Sequence, residues 1–261
     1  MNRDVLKSFI TSKAFLKEKI QKIENSKTFL LKNFWIEKLP EPKKENCVAI
    51  DGSYNFIRFR SLVFYSVNVS AVIFEDGKLR IENYPEFDVS EDSMYFEDML
   101  RSYMIQKEIS TALKFAKDYH VMLDGSLIYF INSLTSENKE KVLKELLSTE
   151  KLVFSISKTP IKSFEESQNE GYSKIFNKEK NNEIIYFYFK LRKNSLTFKV
   201  ETFKKNVNRI EEILSLIRGF EIKGYPYLLI RAHKEAKISN IDIQKLAKLL
   251  GIKEKTGREI L

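Results

Sequence analysis

Two stretches share one ending: Val48-Ala49-Ile50-Asp51-Gly52-Ser53 and Val121-Met122-Leu123-Asp124-Gly125-Ser126. In each, an apolar run of strand length leads into Asp-Gly-Ser, and the chain spends two of its eight glycines on this repeat. A short apolar run bounded by a turn signal reads as a buried strand, and the Asp-Gly pair marks where it stops. A carboxylate at the end of a buried strand is rigidly held yet faces the edge of the sheet, where ligands bind. Two of them on neighbouring strands would converge, giving the hard oxygen donors that a divalent cation takes. Asp-Gly is also a hairpin signal, so two plain strand-ending turns are the competing reading.

The segments around these stretches set the architecture. Val5, Phe9, Ile10, Phe15, Leu16, Ile20 and Ile23 recur at helical spacing and predict a long amphipathic helix at the N-terminus. The charged, proline-containing segment Leu39–Glu45 separates that arm from the first strand. Strands are expected at 47–51, 58–75 and 78–84, with Asp76-Gly77 as a hairpin turn, then a helix over 95–117 leading into the second Asp-Gly-Ser strand. A helix at 137–148 and a strand at 151–157 follow. Residues 158–181 read as a polar loop, 183–191 and 195–202 as strands, and 207–218 as a helix. Tyr225–Arg231 reads as a strand, and 241–250 as a last helix. Three strands in meander followed by alternating helices and strands describe a mixed α/β sheet flanked by helices. The expected organisation is a single domain over 1–261, with a helical arm at 1–40 and a catalytic core at 45–261.

Composition narrows the chemistry. With 31% charged and 43% hydrophobic residues, the 261-residue chain fits a globular protein with a sizeable core. It shows no apolar stretch near the ~20 residues that cross a bilayer, and no secretory signal pattern. One cysteine, Cys47, excludes an internal disulfide and fits a reducing, cytoplasmic setting. Two histidines and one cysteine leave too few soft donors for a structural zinc site, so a metal must rely mainly on carboxylates. The net charge of +9 is spread over scattered lysines and leans toward a polyanionic partner such as nucleic acid.

A third acid stands out on the helix at 95–117. Glu108 falls in the apolar stripe of Leu100, Met104, Ile105, Ala112 and Phe115, whereas Lys107 shares the wet face with Ser110 and Lys114. An acid facing the core is costly unless it meets a cation or a metal. Glu108 is therefore a better candidate ligand than Glu97 or Asp118. Of the histidines, His120 opens the second Asp-Gly-Ser strand at its far end and reads as structural. His233 follows Gly224-Tyr225-Pro226-Tyr227-Leu228-Leu229-Ile230-Arg231-Ala232 and is placed to complete a metal site or position water.

Ile50-Asp51-Gly52-Ser53, a helix glutamate at 108, Leu123-Asp124-Gly125-Ser126-Leu127 and the late Tyr225-Pro226…Ala232-His233 together resemble the NurA nuclease family of archaea and some bacteria. The resemblance implies an RNase H-like fold related to PIWI nuclease domains. It also implies a manganese-dependent DNA nuclease working in end resection, as a homodimer beside the hexameric HerA translocase, with 5′-to-3′ exonuclease and single-strand endonuclease activity. It places metal ligands at Asp51, Glu108, Asp124 and His233, Tyr225 as a further active-site residue, and Lys158 as a loose match to a phosphate-contacting lysine. Two metal ions, manganese or magnesium, would suit phosphodiester hydrolysis, with Asp51 bridging them; one imidazole among the carboxylates favours manganese. An RNase H-type or PIWI-like ribonuclease, or an inactive module that docks a translocase, are the alternatives that the residues leave open.

Overall fold

The computed structural model describes residues 3–158, 169–174, 176–177 and 183–252. A long helix α1 (Arg3–Asn33) is followed by the short strand β1 (Trp35–Ile36) and then by β2 (Cys47–Phe59), β3 (Leu62–Glu75), β4 (Lys78–Asn83) and β5 (Glu86–Glu91). Helix α2 (Phe96–Phe115) returns the chain to β6 (His120–Asp124). The short α3 (Leu127–Asn132) and α4 (Ser136–Ser148) precede β7 (Val153–Lys158). Strands β8 (Gly171–Ser173), β9 (Phe176–Asn177), β10 (Ile184–Lys190) and β11 (Phe198–Phe203) come next. The 3-10 turn Lys204–Arg209 leads into α5 (Ile210–Gly219). A two-strand ribbon, β12 (Glu221–Ile222) with β13 (Tyr225–Pro226), then precedes α6 (Tyr227–Ala236) and α7 (Asn240–Leu249).

One sheet of eleven strands organises the molecule, in the order β1-β8-β10-β11-β7-β6-β2-β3-β4, with β5 on β3 and β9 on β10. Its heart is a meander of β2, β3 and β4, with β6 and then β7 added in parallel on the far side of β2. This is the RNase H-like arrangement that the sequence led us to expect. Both turns of the meander fit their residues. Asp76 and Gly77, at φ 50° and 81°, close β3 onto β4 as a two-residue turn with both φ positive, the geometry that Asp-Gly favours. Arg60 and Ser61 close β2 onto β3.

Two apolar layers cover the sheet. On one face Ala49, Met122, Phe154 and Val200 pack under Ile213, Leu214, Leu216 and Ile217 of α5 and Leu228, Leu229 and Ala232 of α6. On the other, Ile50, Leu123 and Val153 pack under Ile105, Ile109 and Ala112 of α2 and Val142 and Leu146 of α4. A central parallel pair buried on both faces accounts for the unbroken apolar runs before both Asp-Gly-Ser segments. By contrast, every described side chain of α1 is exposed, Leu6, Phe9, Ile10, Phe15, Leu16 and Ile20 among them.

Several expectations are corrected. The first Asp-Gly-Ser does not end a strand: β2 runs through it to Phe59, because β3 is long enough to pair with it throughout. What ends there is the parallel ladder to β6, whose last pair is Ile50 with Leu123. The second motif does turn, with Gly125 at φ 120°. Within the expected loop 158–181, residues 171–173 and 176–177 are strands, while 159–168, 175 and 178–181 lie outside the described residues. β5, in a stretch for which the sequence reading named no element, pairs along β3.

The largest correction concerns Tyr225–Arg231, which is extended only over Tyr225–Pro226 and helical from Tyr227 onward. A short apolar run cannot distinguish a strand from a buried helix by itself. The outcome here follows from the longer pattern. Leu228, Leu229, Ala232 and Ala236 form one buried face, Pro226 caps the start, and Arg231 pairs with Glu235 one turn later at 2.9 Å. His233 therefore projects from a helix.

Candidate active site

Asp51 and Asp124 stand side by side. Each lies one residue beyond the paired Ile50 and Leu123, on the sheet face that carries Ala49 and Met122. Helix α6 lies over that face and brings His233 to Asp51, Nδ1 to Oδ2 at 2.7 Å. The helix is pinned by β2 and β3. Asn68 donates to the carbonyls of Glu235 and Ala236 at 3.2 and 3.3 Å, Asn55 donates to that of Ile238 at 3.1 Å, and Ser53 accepts from the Ile238 amide at 3.3 Å. The serine of the first motif thus positions the helix that carries the histidine. One ligand atom each of Asp51, Asp124 and His233 lie within 4.8 Å of one another.

Glu108 approaches from the opposite face, on α2, and it is 2% exposed, as its place in the apolar stripe predicted. It reaches the site past Gly52: a Cβ at Gly52 would stand 2.8 Å from Glu108 Oε1 and 2.9 Å from Met104 Cγ. The glycine is thus demanded by the approach of the glutamate to the strand. Glu108 Oε2 is buried and has no hydrogen-bond partner. An orphaned carboxylate oxygen near two aspartates fits a divalent cation as the missing partner, since burying it otherwise costs several kcal/mol.

Tyr225 donates its hydroxyl to Asp124 Oδ1 at 3.3 Å. The site electrostatics carry the mark of crowded acids. Burial, and then the charge of Asp124, push Asp51 up to about 6, against the opposing pull of His233 and the Gly52 amide. Burial first, then Asp51 and Asp124, hold Glu108 well above the usual carboxylate range. Burial and the neighbouring Asp124 push the Tyr225 phenol up, so it stays protonated and remains a donor. Paired acids that disfavour each other's ionisation mark functional sites.

Lys158 ends β7, opposite Phe198 and two residues past Ile156, the partner of Asp124. Its side chain lies outside the described residues. Asp118 is exposed at the end of α2. Sequence reasoning missed Glu201, which is fully buried on β11. Its Oε2 accepts from Ser126 Oγ at 2.8 Å and from the Ile128 amide at 3.0 Å, and its other oxygen pairs with Lys199. It fixes the turn behind Asp124, and the only sequence signal is a lone acid in an otherwise buried strand.

His120 joins Glu45 and Glu212 in a second group with metal-like donors. Its Nδ1 accepts from the Leu152 amide at 3.0 Å, so Nε2 carries the proton and donates to Glu45 at 3.1 Å. Glu45 and Glu212 are already paired with Lys43 and Arg209. With the tautomer occupied and the charges met, this group is structural, as expected for His120.

Comparison with known proteins gives this chain its relatives. Residues 143–238 match the NurA domain model. The chain is 25% identical to the DNA double-strand break repair nuclease NurA of Sulfolobus acidocaldarius, over 92% of this chain and 94% of that one. A second NurA, from Sulfurisphaera tokodaii, is also 25% identical, over 98% and 97% of the two chains. Over these spans the chain is similar to the NurA nucleases. In fold it is similar to the crystal structure of NurA from Sulfolobus solfataricus, with a TM-score of 0.74 at 19% identity, covering 96% of this chain and 97% of that one. It is likewise similar to a NurA crystallised with dAMP and manganese, with a TM-score of 0.67 at 14% identity over 98% of each chain.

Proposed function

We propose that this chain is a NurA-family, metal-dependent DNA nuclease acting in double-strand break repair. The observation that carries the reading is the convergence of Asp51, Asp124 and His233 beside the partnerless buried oxygen of Glu108. Asp51, Glu108, Asp124 and His233 are the proposed metal ligands. Carboxylates with one imidazole match manganese or magnesium, and favour manganese. Bound divalent ions, two in the proposed scheme, would activate water and neutralise charge on the attacking and leaving oxygens of the phosphodiester. The chain's own groups do the rest. Asp51 and Asp124 present their oxygens from adjacent strands, the Tyr225 hydroxyl fixes the orientation of Asp124, and α6 holds the His233 imidazole beside Asp51. Manganese and dAMP in a related NurA crystal, the nuclease name of the relatives and the net charge of +9 support this reading.

Within the same proposal the chain acts as one nuclease domain with α1 as its arm, 5′-to-3′ on DNA ends and endonucleolytically on single strands. The bare apolar stripe of α1 supports a homodimer or a HerA-type translocase as its partner. Labelled single- and double-stranded DNA and RNA, incubated with manganese, magnesium or chelator, test the core claim. The expected result is DNA cleavage that requires the ion; a preference for RNA or an inert protein would overturn it.

A further inference from the structure

The elements that hold the three acids carry a second tier of side chains farther along. β2 carries Tyr54 two residues beyond Gly52, on the face toward α2. α2 carries Arg101 seven residues before Glu108, two turns along the same stripe and about 10 Å away at 1.5 Å per residue. α3, starting three residues after Asp124, carries Tyr129. Tyr54 and Arg101 meet around Glu97 Oε1, which both approach, and the hydroxyls of Tyr54 and Tyr129 both favour the charge on Arg101. Arg101 is 47% and Tyr129 50% exposed, so the group opens to solvent.

The acid beside it is Glu97, one turn back on α2. Its Oε1 stands 4.0 Å from Arg101 Nη2 and accepts from the Tyr54 hydroxyl at 3.4 Å. An exposed pair at that distance is weak, so the guanidinium is oriented by its neighbours and still free to take a stronger anion. A planar guanidinium suits the two oxygens of a phosphodiester, and tyrosine rings at its sides offer faces on which bases stack. With its backbone about 10 Å along the helix from that of Glu108, and on the N-terminal side toward which helical side chains lean, it suits a phosphate farther along the same strand than the one held by the acids.

We propose that Arg101, framed by Tyr54 and Tyr129, is a phosphate clamp that binds a phosphodiester flanking the one to be cut on a single nucleic-acid strand. The inference deepens the nuclease reading and rests on it.

Anisotropy of a labelled single-stranded oligonucleotide, measured with calcium as the ion and across a salt series, reads the clamp directly. Arg101→Ala and Arg101→Gln are both used, with melting curves to show that each is folded. The expected result is about tenfold weaker binding, and a log-affinity against log-salt slope smaller by roughly one phosphate contact. Arg101→Lys should keep the slope and recover only part of the affinity. Oligonucleotides with a single methylphosphonate, moved along the strand, should show one position at which neutralisation weakens the wild type but not Arg101→Ala. Unchanged affinity and slope, or a methylphosphonate profile identical in the two proteins, would overturn the clamp. A wild type that binds DNA yet does not cut it when manganese or magnesium is supplied refutes the nuclease reading and leaves the clamp standing on these measurements; a wild type that binds no nucleic acid refutes both.

Discussion

Replacing Asp51 with asparagine should stabilise the metal-free protein and abolish its response to metal. Burial and the charge of Asp124 raise Asp51 from 3.8 to about 6. At 1.36 kcal/mol per unit, ionising it in the folded protein at neutral pH costs about 3 kcal/mol relative to the unfolded chain. The sign follows from the direction of the shift. Below pH 4 the carboxyl is protonated in both states and contributes nothing. Between about 4 and 6 the folded state holds the proton more tightly, so stability falls as pH rises; above 6 the full penalty applies. Asparagine carries no charge and its Oδ1 can still accept from the Gly52 amide, as Asp51 Oδ1 does at 2.9 Å. In chelator at pH 8, Asp51→Asn should therefore melt higher than wild type by on the order of 6–12 °C, at 2–4 °C per kcal/mol for a chain of this size. The gap should close as the pH is lowered from 6 to 4. Manganese should reverse the order: at a thousand times its dissociation constant it adds about 4.1 kcal/mol to the protein that binds it, more than the penalty on Asp51, and little to the variant. Calorimetric melts of both proteins at four pH values, with chelator and with manganese, carry the test. A variant less stable than wild type in chelator at pH 8, or a wild type unmoved by manganese, would refute the reasoning.

Glu108→Gln should lower manganese-dependent cleavage by orders of magnitude yet leave the metal-free protein at least as stable as wild type, since burial and both aspartates disfavour the charge. Asp118→Asn, at an exposed position, should change neither; rates and chelator melts of the two variants compare them directly. Gly52→Ala should cost about 1–3 kcal/mol and displace Glu108, because the new methyl would sit 2.8 Å from its Oε1; a fall in both melting temperature and cleavage is expected. Removing residues 1–33 should leave the core folded, since every described side chain of α1 is exposed, and should weaken self-association or capture of a HerA-type translocase; light scattering and a pull-down read the two.

Local pattern determined much of this protein. The apolar runs before both Asp-Gly-Ser segments marked two buried parallel strands, Asp76-Gly77 marked its own turn, and helical periodicity alone turned Glu108 inward. Each signal is carried by residues within a turn or two of one another, so no distant partner is needed to read it. Tertiary structure decided the rest. Asp51 and Gly52 lie within a strand because β3 reaches past the end of β6, a matter of partner length. Tyr227 to Ala236 became a helix because its apolar face met the sheet and Asn55 and Asn68 held its end, contacts made across some 170 to 185 residues of chain. Glu201 gained its place from Ser126, 75 residues earlier in the chain. That two aspartates and a histidine share one small volume, with Glu108 nearing the aspartates from the other face, follows from the strand order β6-β2-β3 and from helices on opposite faces, and no spacing in the sequence encodes such a distance.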